Sequence, residues 1–174
     1  MNLKNGFTLI ELLITILVFT ILAMLAVPTF HHVMSRVESM RVEHQIKELL
    51  LHSRNTAFSL HQRIAICGSQ DGVRCIDNRN WTDGILLYND NVIRNRILDQ
   101  GENKFYYHKL NLDYGTLEWR GFGVAGNILF QDDRGIPLGS NGSFFYCNPD
   151  NPQLNKRIVM SSAGNIRVEK AVKC

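Results

Sequence analysis

An apolar run from Phe7 to Val27, broken only by Glu11, fixes much of what this 174-residue chain is able to become. As a helix rising about 1.5 Å per residue, the run reaches roughly 30 Å, the thickness of a bilayer core. A carboxylate inside hydrocarbon costs about 2.5–3.5 kcal/mol by insertion scales, so Glu11 marks function and needs a partner, for which an amine is the candidate. Six residues precede the run, with a single cation among them, Lys4. A secretory signal has a basic start, a shorter apolar stretch and a small-residue cleavage site, whereas a cut after Ala26 would put Met24 where a small residue belongs. Hydropathy alone therefore reads the run as an uncleaved membrane anchor.

Pro28 lacks an amide donor and crowds the carbonyl of Met24, so a kink or interruption is expected where the chain leaves the membrane. Beyond it Phe30, Val33, Val37, Met40, Ile46, Leu49, Leu50, Ala57 and Phe58 recur at near-helical spacing, with Arg36, Glu38, Arg41, Glu43, Lys47 and Glu48 between them. The pattern predicts an amphipathic continuation that covers a sheet, giving one helix from about Phe7 to about Leu60. From Gln62 onward short β-rich runs take over: Arg63 to Cys67, Gly84 to Tyr88, Lys104 to Tyr107, Thr116 to Arg120, Asn127 to Gln131, Gly142 to Cys147 and Arg157 to Ser161. Turn residues such as Asp71-Gly72, Asn89-Asp90-Asn91 and Asn148-Pro149-Asp150 separate them. The expected organisation is a short segment at 1–6, a transmembrane helix at 7–28, an amphipathic helix at 29–60 and one β-rich head at 61–174.

Cys67, Cys75, Cys147 and Cys174 all lie in the head, an even count in a segment that the anchor places outside the cytoplasm, which suits disulfides. Three pairings are available and the sequence does not choose among them. Cys67 with Cys75 would close a short loop around Asp71-Gly72, leaving Cys147 to hold Cys174. No Cys-x-x-Cys and no histidine at finger spacing accompanies them, so no metal is expected.

The stretch Gly6-Phe7-Thr8-Leu9-Ile10-Glu11-Leu12-Leu13 resembles the class III leader junction of type IV pilins and type II secretion pseudopilins. That resemblance makes residues 1–6 a prepilin leader and implies cleavage by a prepilin peptidase between Gly6 and Phe7, N-methylation of Phe7, and Glu11 as the acid that faces a neighbouring subunit's terminal amine. Pairing the two charges in low dielectric favours lateral assembly of helices. Further motifs run along the chain: Ser53-Arg54-Asn55-Thr56-Ala57, Ile64-Ala65-Ile66-Cys67 with Ser69, Asp71, Gly72 and Cys75, then Trp81-Thr82-Asp83-Gly84-Ile85-Leu86-Leu87-Tyr88-Asn89-Asp90, and finally Ser161-Ser162-Ala163-Gly164 with Arg167. In this order they resemble the minor pilins and pseudopilins of the GspH/FimT/FimU type. The fold implied is α+β, a long N-terminal helix packed on antiparallel sheet. The partners implied are other pilin subunits through that helix, the peptidase, and the inner membrane, with a periplasmic head later carried into a fibre or its tip.

Members of that branch divide between pilus initiation or tip structure, type II secretion, and natural transformation, where a Gly-Arg-x-Arg motif binds double-stranded DNA. The matching positions here are Gly164-Asn165-Ile166-Arg167, with one arginine absent. Lys156, Arg157, Arg167, Lys170 and Lys173 outnumber Glu169 and read as a mobile basic tail able to hold phosphates weakly, against a formal net charge of only +3. Other apparent motifs are ordinary structure. Gly121-Phe122-Gly123-Val124-Ala125-Gly126 fits a dinucleotide-binding pattern, yet no βαβ unit surrounds it. His44 and His52 share a helix face without metalloprotease spacing, and Asp132-Asp133 and Asn89-Asp90-Asn91 are turns. No enzyme activity and no cofactor are expected.

Overall fold

The computed structural model describes residues 8–93, 95, 97–121, 126–137 and 139–174, with backbone alone at residues 25–28. One helix, α1 (Leu9–Leu60), carries the head. It begins at Thr8, whose side chain accepts Glu11 N, and ends at His61, whose left-handed backbone (φ 51°) breaks the hydrogen-bond ladder. Of the two outcomes expected at Pro28, a kink or an interruption, the interruption does not occur. One missing donor leaves bonded turns on both sides, and a helix of 52 residues tolerates that loss.

The apolar stripe expected along the outer half of α1 proves to be two stripes. Val42, Ile46, Leu49, Leu50 and Ala57 are buried against the head, whereas Phe30, Val33, Val37, Met40 and Phe58 are exposed. At about 100° per residue, positions 30, 33, 37 and 40 point away from the face that carries 42, 46, 49 and 57. On the head side their level is polar: Ser35, Glu38 and Ser39 are buried there instead.

The strands are β1 (Ile64–Gly68), β2 (Gly84–Asn89), β3 (Lys104–Lys109), β4 (Thr116–Gly121), β5 (Asn127–Phe130), β6 (Gly142–Cys147), β7 (Lys156–Met160) and β8 (Ile166–Lys170). They form two antiparallel sheets, ordered β3-β2-β1-β5 and β4-β6-β7-β8. Every residue of β1 and β2 is buried, as their unbroken apolar runs require. One face of the first sheet meets α1 through Ile64, Ile66, Ile85 and Leu87, while Ala65, Leu86 and Tyr88 pack beneath the Cys75 and Leu98 loops. The second sheet alternates, sending Leu117, Trp119, Phe144, Tyr146, Ile158 and Met160 inward. Trp81 joins the two, edge-on to Phe144 at 5.2 Å. It lies so close to β1 that a Cβ on Gly68 would stand 2.6 Å from its ring.

The seven strands expected from the sequence are present with ends moved by two residues at most, and β8 is additional. The C-terminal segment is therefore not a mobile tail: β8 pairs with β7 over its full length, from Lys156↔Lys170 to Met160↔Ile166. Gly164 turns the chain between them at φ +79°. The glycine-rich stretch 121–126 falls largely outside the described residues.

Disulfides join Cys67 to Cys75 and Cys147 to Cys174. The second spans 27 residues, and loop-closure entropy puts its contribution at about 3.5 kcal/mol, against about 2.5 for the shorter loop. Exchanging Cys147 and Cys174 for serine should therefore lower the melting temperature of the full chain in detergent by about 10 °C, more than the Cys67 and Cys75 exchange does. Equal melting of all three proteins, followed by circular dichroism of the strands, would refute that ranking.

Candidate assembly interface

Helix geometry places the first chemistry at the N-terminus of α1. Glu11 is the third helical residue, and its Oε2 accepts both Thr8 N and Thr8 Oγ1 at 2.8 Å, while Glu11 N donates to Thr8 Oγ1 at 3.4 Å. This reciprocal cap satisfies backbone donors that water cannot reach in a bilayer. Among the described residues Glu11 Oε1 accepts nothing, and a carboxylate has lone pairs to spare there. Gly6 and Phe7 lie outside the described residues. Every large apolar side chain from Leu9 to Met24 is exposed in the single chain, and the exposed Phe30, Val33, Val37 and Met40 extend that surface past Pro28.

On the opposite side a polar clamp fixes the stalk to the head. Glu38 is 3% exposed and accepts Asp113 N at 2.7 Å, Tyr114 N at 3.1 Å and the Tyr146 hydroxyl at 2.8 Å. Burial and this acid push the Tyr146 phenol well above its ordinary range. Ser39 Oγ donates to Leu154 O and Arg41 to Asn111 O, so two separate segments, 111–114 and Leu154, are tied to one level of the helix. One turn on, Glu43 is shared by Lys47 at 2.7 Å and Lys156 at 2.8 Å. Partial burial raises the Glu43 pKa, but hydrogen bonds from Lys156 and Lys47 prevail and hold the carboxyl below the usual carboxylate range. In the sequence Glu38 is merely one of the charges interspersed among the apolar positions of the helix. Only its i, i+3 neighbour Arg41 hinted otherwise, since the remaining partners are distant in the chain.

The cations proposed for DNA do not converge. Lys156 and Lys170 sit opposite each other on β7 and β8, on the face that also carries Ile158 and Val168, while Arg157 and Arg167 project from the other face of that sheet. Arg157 and Arg167 both engage Glu169, at 3.5 and 2.6 Å, and the Arg167 hydrogen bond lowers the Glu169 pKa. Arg157 also lies over the Phe145 ring, which Arg120 covers at 4.4 Å. Gly164 is buried against Pro137 and the Arg54 side chain. Lys170 and Lys173 are exposed.

A family model described as the prokaryotic N-terminal methylation motif matches residues 1–27, and one described as type II transport protein GspH matches residues 44–164. The fold is similar to that of the type IV minor pilin FimU of Pseudomonas aeruginosa strain PAO1. Its crystal structure in space group P21 has a TM-score of 0.57 at 17% identity, covering 77% of this chain and 90% of that one. The form in space group P65 has a TM-score of 0.51 at 17% identity, covering 72% and 88%. No curated protein sequence matches.

Proposed function

This chain belongs to the GspH family, a family of structural pilin-like subunits, and on that premise we propose that it is a minor pilin of a type IV pilus, cleaved after Gly6 and built into the start or tip of the fibre. A minor-pilin or pseudopilin role is common ground for the family and for the fold it shares with FimU. The observation that carries the finer reading is the methylation motif over residues 1–27, set on a helix whose apolar faces are divided between its own head and the outside. Cleavage makes Phe7 the terminal residue, and its methylated amine meets the open oxygen of Glu11 on an adjacent subunit. Neither charge is affordable alone in lipid, so the pair forms only where a neighbour lies in register. The exposed stripe from Phe30 to Met40 continues the contact above the membrane, and the head stands on the far side of the inner membrane from the cytoplasm.

Mass spectrometry of the protein isolated from its natural host tests this: the expected N-terminus is Phe7 carrying one methyl group. Gly6→Asp should leave an uncleaved chain that begins at Met1 and stays in the membrane. A native product that begins at Met1 overturns the reading. The description of the matching family model favours a type II secretion pseudopilus as the second reading, and fractionation distinguishes it, since a pilin is recovered in sheared surface fibres. Duplex DNA receives less support. Arg157 and Arg167 would each have to release Glu169, and Lys156 would have to release Glu43, before neutralising a phosphate.

A further inference from the structure

We propose that the open edge of β3 takes up an extended segment of another protein, acidic at both ends, as a fifth strand of the first sheet. β3 lies at the end of its sheet, bonded to β2 on one side. Leu110 N donates to Asp83 O at 3.1 Å, which sets the antiparallel alternation: His108 and Tyr106 bond inward to β2, and the backbone groups of Lys109 and Tyr107 point outward. Among the described residues no backbone group meets them. An exposed row of unpaired amides and carbonyls is a template for another strand.

A groove of about 1320 Å³ runs beside this edge, between α1 and the helix-facing side of β3. Leu87 lies at its floor, His44, Lys47, Glu48 and His52 belong to the α1 wall, with His44 3.7 Å from Glu48 and Lys47 held by Glu43, and Tyr106 and His108 form the other wall. Phe105 and Tyr106 remain 42% and 49% exposed, so alternate side chains of an added strand find apolar surface there.

Charge selects the occupant. β3 begins and ends in lysine, and among the described residues neither Lys104 nor Lys109 forms an ion pair. Pairing with a second copy would set Lys104 against Lys109 in antiparallel register, or each lysine beside its own image in parallel register. Like charges directly opposite destabilise a strand pair, so full-length pairing of β3 with its own copy is disfavoured. The same lysines attract a strand with carboxylates at its ends, and that complementarity sets the register.

The experiment uses the full chain in detergent micelles with the blocked hexapeptide Glu-Val-Thr-Val-Thr-Glu and its lysine-ended counterpart. Saturating acidic peptide should slow hydrogen exchange at the Tyr107 and Lys109 amides about tenfold, with binding weakened by salt. The double variant K104E/K109E, changed at two exposed positions, should lose about tenfold in affinity for the acidic peptide and gain for the basic one. Three results would overturn the proposal. They are unchanged exchange at saturation, equal affinity for K104E/K109E, and wild-type dimers cross-linked through β3.

Discussion

Replacing Glu38 by alanine is expected to remove about 3–5 kcal/mol from the stability of the head, a large share of what a domain of this size possesses. The loss comes from what the carboxylate leaves behind. Asp113 N, Tyr114 N and the Tyr146 hydroxyl would all be stranded in the seam between α1 and the second sheet, at about 1–3 kcal/mol for a buried group without a partner. Glutamine separates shape from charge at the same position. Its amide oxygen is able to keep the two backbone donors while its amino group donates to Tyr146, so Glu38→Gln should cost about 1 kcal/mol, close to Tyr146→Phe. Urea unfolding of the three full-length variants in detergent reads the order directly. An alanine variant within about 1 kcal/mol of wild type would mean that apolar burial alone joins stalk and head.

Replacing Glu11 by alanine should leave cleavage after Gly6 intact and reduce the chain's recovery in sheared fibres at least about tenfold, with the lost protein found in the membrane. Two effects are folded into that change. The reciprocal cap with Thr8 disappears, at about 1 kcal/mol, and so does the negative charge that an adjacent amine would neutralise. Glu11→Gln keeps an acceptor for the cap and drops the charge. If it assembles like wild type, capping is the whole role of the residue. If it fails like alanine, the charge pair between subunits is what matters. Wild-type recovery of the alanine variant would remove Glu11 from assembly altogether.

Much of the architecture was legible in the chain because it rests on local periodicity. The run through Val27 admits only a long helix, and Gly84-Ile85-Leu86-Leu87-Tyr88, apolar throughout, reads as a strand covered on both faces. What escaped had the wrong reach. Glu38 looks like any charge on an amphipathic helix until Asp113 and Tyr146, 75 and 108 residues away, are brought to it. β8 spells Ile-Arg-Val-Glu-Lys, with only two apolar residues to mark its inner face, so its cations dominate the linear reading although Ile166 and Val168 pack on the core. The division of the helix into opposed stripes was hidden for a related reason. Spacing shows that apolar residues recur, and the third dimension decides which of them meet the head.

The opposed stripes leave no clean place to trim the chain for a soluble version. Starting before Ser35 retains the polar clamp and brings greasy Val37 and Met40 into water. Starting after Arg41 discards that surface together with the side chain that grips Tyr146. Repainting Val37 and Met40 with polar residues, and leaving the helix long, is the route that keeps the head intact.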